Sequence, residues 1–183
     1  MKNQRNILTD ICLEFCKILD KYTKYIVVSD FFIICSGRSR ATEDIDIIID
    51  SMNFKEFEEM YNELKLNGFT CLQSNDPIEV YNLYLKENIP VRFIKDEKFI
   101  PNIELKFKKD YLDEYQIHNR QIIKFTGLDI YFSSIEACIA FKEELLKSKK
   151  DLDDAKFLRI VYKEKINENE IEKIKKMIHK YRF

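Results

Sequence analysis

The sequence predicts an α+β fold: a mixed β-sheet with flanking helices, followed by a helical C-terminal region. Three observations predict it. Apolar runs of strand length, chiefly Tyr25–Val28 and Ile45–Ile49, are interleaved with longer segments whose apolar residues recur at helical spacing. From Ser133 onward the pattern is helical. Only three Gly and three Pro occur in 183 residues, which argues against disorder and against a loop-rich barrel. The division expected is an α/β core over 1–132 and a helical region over 133–183 that closes a cleft.

With 45% hydrophobic residues, the chain can bury a real core. A formal net charge of -1 excludes a globally basic nucleic-acid binder, although a local basic patch stays possible. The five cysteines (Cys12, Cys16, Cys35, Cys71, Cys138) contain no Cys-x-x-Cys pair and no zinc spacing. Buried free thiols in a reducing cytosol are expected. The polar start, Met1 to Asn6, has no signal-peptide core, and no apolar run could span a membrane. A cytoplasmic location is the expectation.

The elements follow in order. Ile7, Ile11, Phe15, Ile18, Leu19 and Tyr22 form the stripe of a first helix that covers the sheet. Tyr25–Val28 reads as a buried strand. A second apolar run, Phe31–Cys35, leads to a polar turn at Gly37–Arg40, and a strand begins at Asp44. Ser51 or Asn53 can cap the next helix, with Phe54, Phe57, Met60, Tyr61 and Leu64 buried and Gly68 as its stop. Phe69–Leu72 reads as a strand and Ser74–Pro77 as a turn. Val80–Leu85, Val91–Ile94 and Ile103–Phe107 read as strands, the first two joined by a hairpin at Glu87-Asn88. Tyr111–Arg120 is polar, either helical or irregular. Gln121–Phe125 and Leu128–Phe132 flank Thr126-Gly127 as a hairpin. Ser133 with Glu136 reads as a capping box opening a helix through Leu145. A further helix runs to Tyr162, and Asn167 caps a last one whose outer face carries Lys173, Lys175, Lys176 and Lys180.

The chemistry concentrates at Asp44-Ile45-Asp46. Alternation in a strand puts Asp44 and Asp46 on one face and Ile45, Ile47 and Ile49 on the other. Ile48 shares the acidic face, so that face turns apolar further along; the acids are expected at the edge of the sheet, at the mouth of a strand that runs into the core. Two ionised carboxylates about 5 Å apart repel by roughly 3 kcal/mol at an effective dielectric near 20. Either Arg38 or Arg40 folds back on them, or they hold Mg²⁺, a hard cation that takes oxygen ligands and leaves positions open for phosphate.

The surrounding residues resemble the nucleotidyltransferase superfamily, whose pattern is a strand, a Gly-Gly or Gly-Ser turn opening a short helix, and Asp-x-Asp on the next strand. The run Arg40-Ala41-Thr42-Glu43-Asp44-Ile45-Asp46 is similar to the subgroup of AbiEii-type toxins and archaeal relatives. So is the later order Ser134-Ile135-Glu136, Lys142, Lys150-Asp151 and Asp154-Ala155. The resemblance covers roughly Tyr25 to Tyr162. It implies transfer of a nucleoside monophosphate from an NTP to an acceptor hydroxyl, on RNA such as tRNA or on protein, with Mg²⁺ as cofactor and an antitoxin as a possible partner. It implies Asp44 and Asp46 as metal ligands, and Ser29, Asp30, Arg38, Arg40, Thr42, Lys142 and Lys150 as nucleotide-binding residues.

This chain departs from the pattern twice. The Gly-Gly or Gly-Ser turn falls on Ser29-Asp30, where Asp30 either repels a triphosphate or adds a metal ligand. The position of the family's third carboxylate falls on Ile94. Glu104 is the first substitute, because a strand there presents Glu104 and Lys106 on one face; Asp96 is the second. A non-catalytic module that binds nucleotide or a partner is the alternative expectation.

Overall fold

The computed structural model describes residues 7–39, 42–96 and 98–183. The described residues form a seven-stranded mixed sheet flanked by helices, as the sequence predicts. Helix α1 (Ile7–Leu19) leads into β1 (Tyr25–Val28), the six-residue helix α2 (Asp30–Cys35) and β2 (Asp44–Ile49). Helix α3 (Phe54–Leu66) and β3 (Phe69–Cys71) follow. Asn53 caps α3 in a reciprocal capping box with Glu56, and Gly68 ends it at positive φ.

The sheet order is β3-β4-β5-β2-β1-β7-β6, with β4 (Val91–Lys95), β5 (Lys98–Phe107), β6 (Gln121–Ile122) and β7 (Tyr131–Phe132). Strand β2 is therefore central, not at the sheet's edge as its acidic start suggests. It pairs antiparallel with β1 and parallel with β5. Ile45, Ile47 and Ile49 enter the main core beside Phe15, Phe57 and Leu105. On the opposite face Ile48 joins Ile26 and Ile117 in a small separate cluster, so that face does turn apolar past the acids.

The strand expected at Val80–Leu85 is instead helical. Asp76 caps a single turn, α4 (Pro77–Glu79), by accepting from the Ile78 amide at 2.9 Å, and Pro77 sits where helices start readily. A π-helical turn, Val80–Tyr84, and a 3₁₀ turn, Leu85–Glu87, complete it. Val80 and Leu85 are its buried residues, five apart, which is π-helical rather than strand spacing. Asn88 takes a left-handed conformation at its end, not the hairpin expected there. The β6–β7 pairing is present, but Lys124–Thr126 forms a 3₁₀ turn inside what reads as a tight hairpin.

The C-terminal elements are α5 (Tyr111–His118), α6 (Ile135–Phe141), a π-helical turn Lys142–Leu146, α7 (Lys149–Val161) and α8 (Glu168–Arg182). The cap of α6 is Ser134, one residue later than the sequence suggests; its hydroxyl accepts from the Ala137 amide at 3.1 Å. Ser133 donates to Gln116 instead, and Glu136 accepts from the Asn167 amide. No described helix is long and apolar enough to cross a membrane, and all five cysteines are free thiols.

Candidate active site

Parallel pairing of β2 with β5 sets the site. The register places Asp46 opposite Glu104 and Asp44 opposite Asn102. Antiparallel pairing of β4 continues the row, with Arg92 opposite Glu104 and Ile94 opposite Asn102. Residues opposite one another share a face, so Asp44, Asp46 and Glu104 form one acidic group across two strands. Ile94 is buried on that same face and offers no ligand, as its sequence position suggests. Asp96 lies in the β4–β5 turn, its amide donating to the Gly68 carbonyl, and is not among the cleft residues.

Each acid has distinct surroundings. Burial pushes the Asp46 carboxyl above its ordinary range, and the charges of Glu104 and Asp44 push it further; a hydrogen bond with the Ser29 side chain and the charge of Lys106 oppose this. Asp44 accepts from Asn102 Nδ2 at 2.6 Å. Glu104 pairs with Arg92 at 3.2 Å, and both side chains are partly open to solvent. Thr42 donates to the Asp44 main-chain carbonyl at 3.1 Å, which spends its hydroxyl on the strand's entry.

Ser29 lies between β1 and α2 with φ 64° and ψ −140°. L-residues rarely adopt such a conformation, and glycine does so freely. The backbone here takes a turn that glycine would enter without strain, although this chain carries Ser.

Asp46 and Glu104 open on a cleft of about 360 Å³. Val28, Ile48, Ala137, Phe141, Leu145 and Leu146 supply its apolar walls. Gln116, Ser133, Asp113, Lys106, Lys109 and Arg182 supply polar groups. Lys142 also reaches the wall, yet it is only 2% exposed. Its ammonium lies 3.1 Å from Asp30, 3.0 Å from Asp151 and 3.0 Å from Asp154. These three acids could place one oxygen each within 4.8 Å of one another, as a metal would need. The ammonium within hydrogen-bond reach of all three already serves as their counter-ion.

Arg38 does not fold back on Asp44 and Asp46. Its Nη1 donates to the Asp153 carbonyl at 2.6 Å, its Nε lies 3.1 Å from Asp154, and its guanidinium lies over Phe157. Lys150 is exposed in the first turn of α7. Arg40 lies outside the described residues. The fold thus brings Ser29, Asp44, Asp46 and Glu104 together, and separately groups Asp30, Arg38 and Lys142 with Asp151 and Asp154.

Sequence reasoning did not single out Asn102, Lys109, Asp113, Gln116, Ser133 or Arg182 as site residues. Asn102 carried a signal, since it alternates with Glu104 and Lys106 along one strand. The others reach the cleft only through tertiary packing.

Oxygen ligands on two rigid strands, one of them a half-buried carboxyl burdened by its neighbours, suit a hard divalent cation. Neither a protein-family model nor a curated protein matches this chain.

Proposed function

We propose that this chain is a Mg²⁺-dependent nucleotidyltransferase that moves a nucleoside monophosphate from an NTP to an acceptor hydroxyl. The observation that carries this reading is the register of Asp46 with Glu104, with Asp44 two positions earlier on the same face. A lone Asp-x-Asp is common, but a third acid aligned on the neighbouring strand beside an open cleft is a ligand set. Bound Mg²⁺ would neutralise phosphate oxygens and activate the acceptor oxygen.

Asp44, Asp46 and Glu104 would hold the metal. Asn102 orients Asp44 through its hydrogen bond. Ser29 fixes Asp46 in the same way and keeps a hydroxyl at the cleft wall. Phe141, Leu145 and Leu146 offer apolar surface for a nucleobase, while Gln116 and Ser133 offer polar groups. Phosphoryl transfer depends mostly on positioning and charge stabilisation, and rigid strands suit both. The acceptor class is RNA, such as tRNA, or protein. A toxin-like role held in check by an antitoxin, within the cytoplasm, is part of this reading.

One observation favours the alternative, a non-catalytic module that binds nucleotide or a partner. Arg92 already pairs with Glu104, so the third acid has a counter-ion without metal. One experiment separates the two. The protein is incubated with Mg²⁺, labelled NTPs and either total RNA or cell protein, beside an Asp44→Asn, Asp46→Asn variant. Label transfer lost in the variant supports the enzyme. NTP binding without transfer supports the module.

A further inference from the structure

We infer that the cleft seats the phosphates of its nucleotide at Lys106 and Lys109, and not at the turn leading into α2. This deepens the transferase reading and rests on it for the identity of the anion.

The turn at Ser29-Asp30 is poorly suited to phosphate. Asp30 opens α2 with a carboxylate, and Lys142, 3.1 Å from it, is shared with Asp151 and Asp154. The Lys142 ammonium is thus committed to three carboxylates. The helix itself is only six residues long.

The far side of the cleft is different. Lys106 follows Glu104 by two positions on β5, on the same face, so its ammonium and the acids share one wall. Lys109 stands in the turn after β5, and Asp113 holds that turn by accepting from the Lys109 amide at 3.0 Å. The other oxygen of Asp113 accepts from Arg182 Nη2 at 2.6 Å, and Asp110 pairs with Nη1. Asp113 is 2% exposed, so this post is rigid and buried. It fastens the last turn of α8 and the β5–α5 turn to one point, bringing Arg182 and Lys109 to the same cleft. Among the described residues, neither Lys106 nor Lys109 forms an ion pair within 4 Å, unlike Lys108 between them in sequence, which pairs with Asp50. Compact ammonium groups with no ion pair within 4 Å among the described residues, lining a cleft beside an acidic metal-type site, suit a polyphosphate.

The probe is inorganic pyrophosphate, titrated calorimetrically without divalent metal. The variants are Lys106→Gln with Lys109→Gln, Lys150→Gln and Glu104→Gln, each first shown by circular dichroism to be folded. The wild type should bind, the double lysine variant at least tenfold more weakly. Glu104→Gln should bind as well as wild type or more tightly, because a like charge has gone. Wild-type affinity in the double lysine variant, no binding by the wild type, or a loss confined to Lys150→Gln would each overturn the subsite. The readout does not depend on turnover. Label transfer with unaffected pyrophosphate binding in the lysine variants removes the subsite alone. Lysine-dependent binding without label transfer to any acceptor keeps the subsite and removes the transferase.

Discussion

The Lys142 ammonium lies 3.1 Å from Asp30, and through this contact the C-terminal helices grip the turn that carries Ser29. Ser29 in turn hydrogen-bonds Asp46. A path of four residues therefore links the start of the π-helical turn at Lys142 to the central strand. The lysine that the family resemblance assigns to phosphate is here the hub of an ion cluster. Although burial pushes Asp151 up, the Ser148 hydroxyl and Lys142 hold its carboxyl below the usual range.

Replacing this hub should be costly. Lys142→Met leaves Asp154, which is 0% exposed, beside two further acids and without the ammonium 3.0 Å from it. Breaking a buried ion pair by deleting one partner costs about 3–5 kcal/mol. We expect a loss of that order in urea unfolding monitored by circular dichroism. Lys150→Met, at an exposed position of α7, should stay within about 0.5 kcal/mol of wild type. Equal effects for the two would remove the distinction drawn between them.

Ser29 allows a test of the turn itself. Both Ser29→Ala and Ser29→Gly lose the hydroxyl that reaches Asp46, but only glycine accepts φ 64° without strain. The glycine variant should be more stable than the alanine variant by about 1 kcal/mol. The comparison cancels the lost hydrogen bond and leaves the backbone contribution. Thermal unfolding of the pair is sufficient to measure it.

Much of this arrangement was legible in the sequence because it is local. Alternation in Asp44–Ile49 fixes which side chains share a face, and alternation in Ile103–Phe107 puts Glu104 on a face with Lys106. That Glu104 falls opposite Asp46 depends on a parallel pairing between strands 58 residues apart, and no local pattern encodes that register. The same limit explains why β2 reads as a strand opening an edge although three strands lie on either side of it. Val80–Leu85 misled for a different reason. Its residues have strand propensity, but Asp76-Pro77 before it is a helix-start signal that outweighs them. Lys142 could not be placed from sequence, since two of its three partners come from α7 and one from the start of α2.

Asp46→Asn should separate stability from activity. Removing a half-buried carboxylate that Glu104 and Asp44 repel relieves the folded state, so Tm at neutral pH should rise. The same change should lower label transfer on the order of a thousandfold, equivalent to about 4 kcal/mol of barrier. A variant that loses both activity and stability would mean that Asp46 serves the fold and not a metal. Sites built for function commonly trade stability in this way.

The pH dependence follows from the same residue. Asp46 has a folded-state pKa above its unfolded value, with burial as the main cause and Glu104 next. Between the two values the folded protein binds more protons than the unfolded chain, so stability without metal falls as pH rises through that window. Magnesium competes with the proton for the same oxygens, so its affinity should rise with pH over the same range. The measurement is Tm from pH 4 to 7, with chelator and with Mg²⁺, for wild type and Asp46→Asn. Other carboxylates titrate here too, and the difference between the two proteins isolates Asp46. The Mg²⁺-dependent gain in Tm, which grows with metal concentration over Kd, should be larger at pH 7 than at pH 5 in the wild type. It should be small and flat with pH in the variant. A gain that is independent of pH, or that survives in Asp46→Asn, would place the metal elsewhere on the molecule.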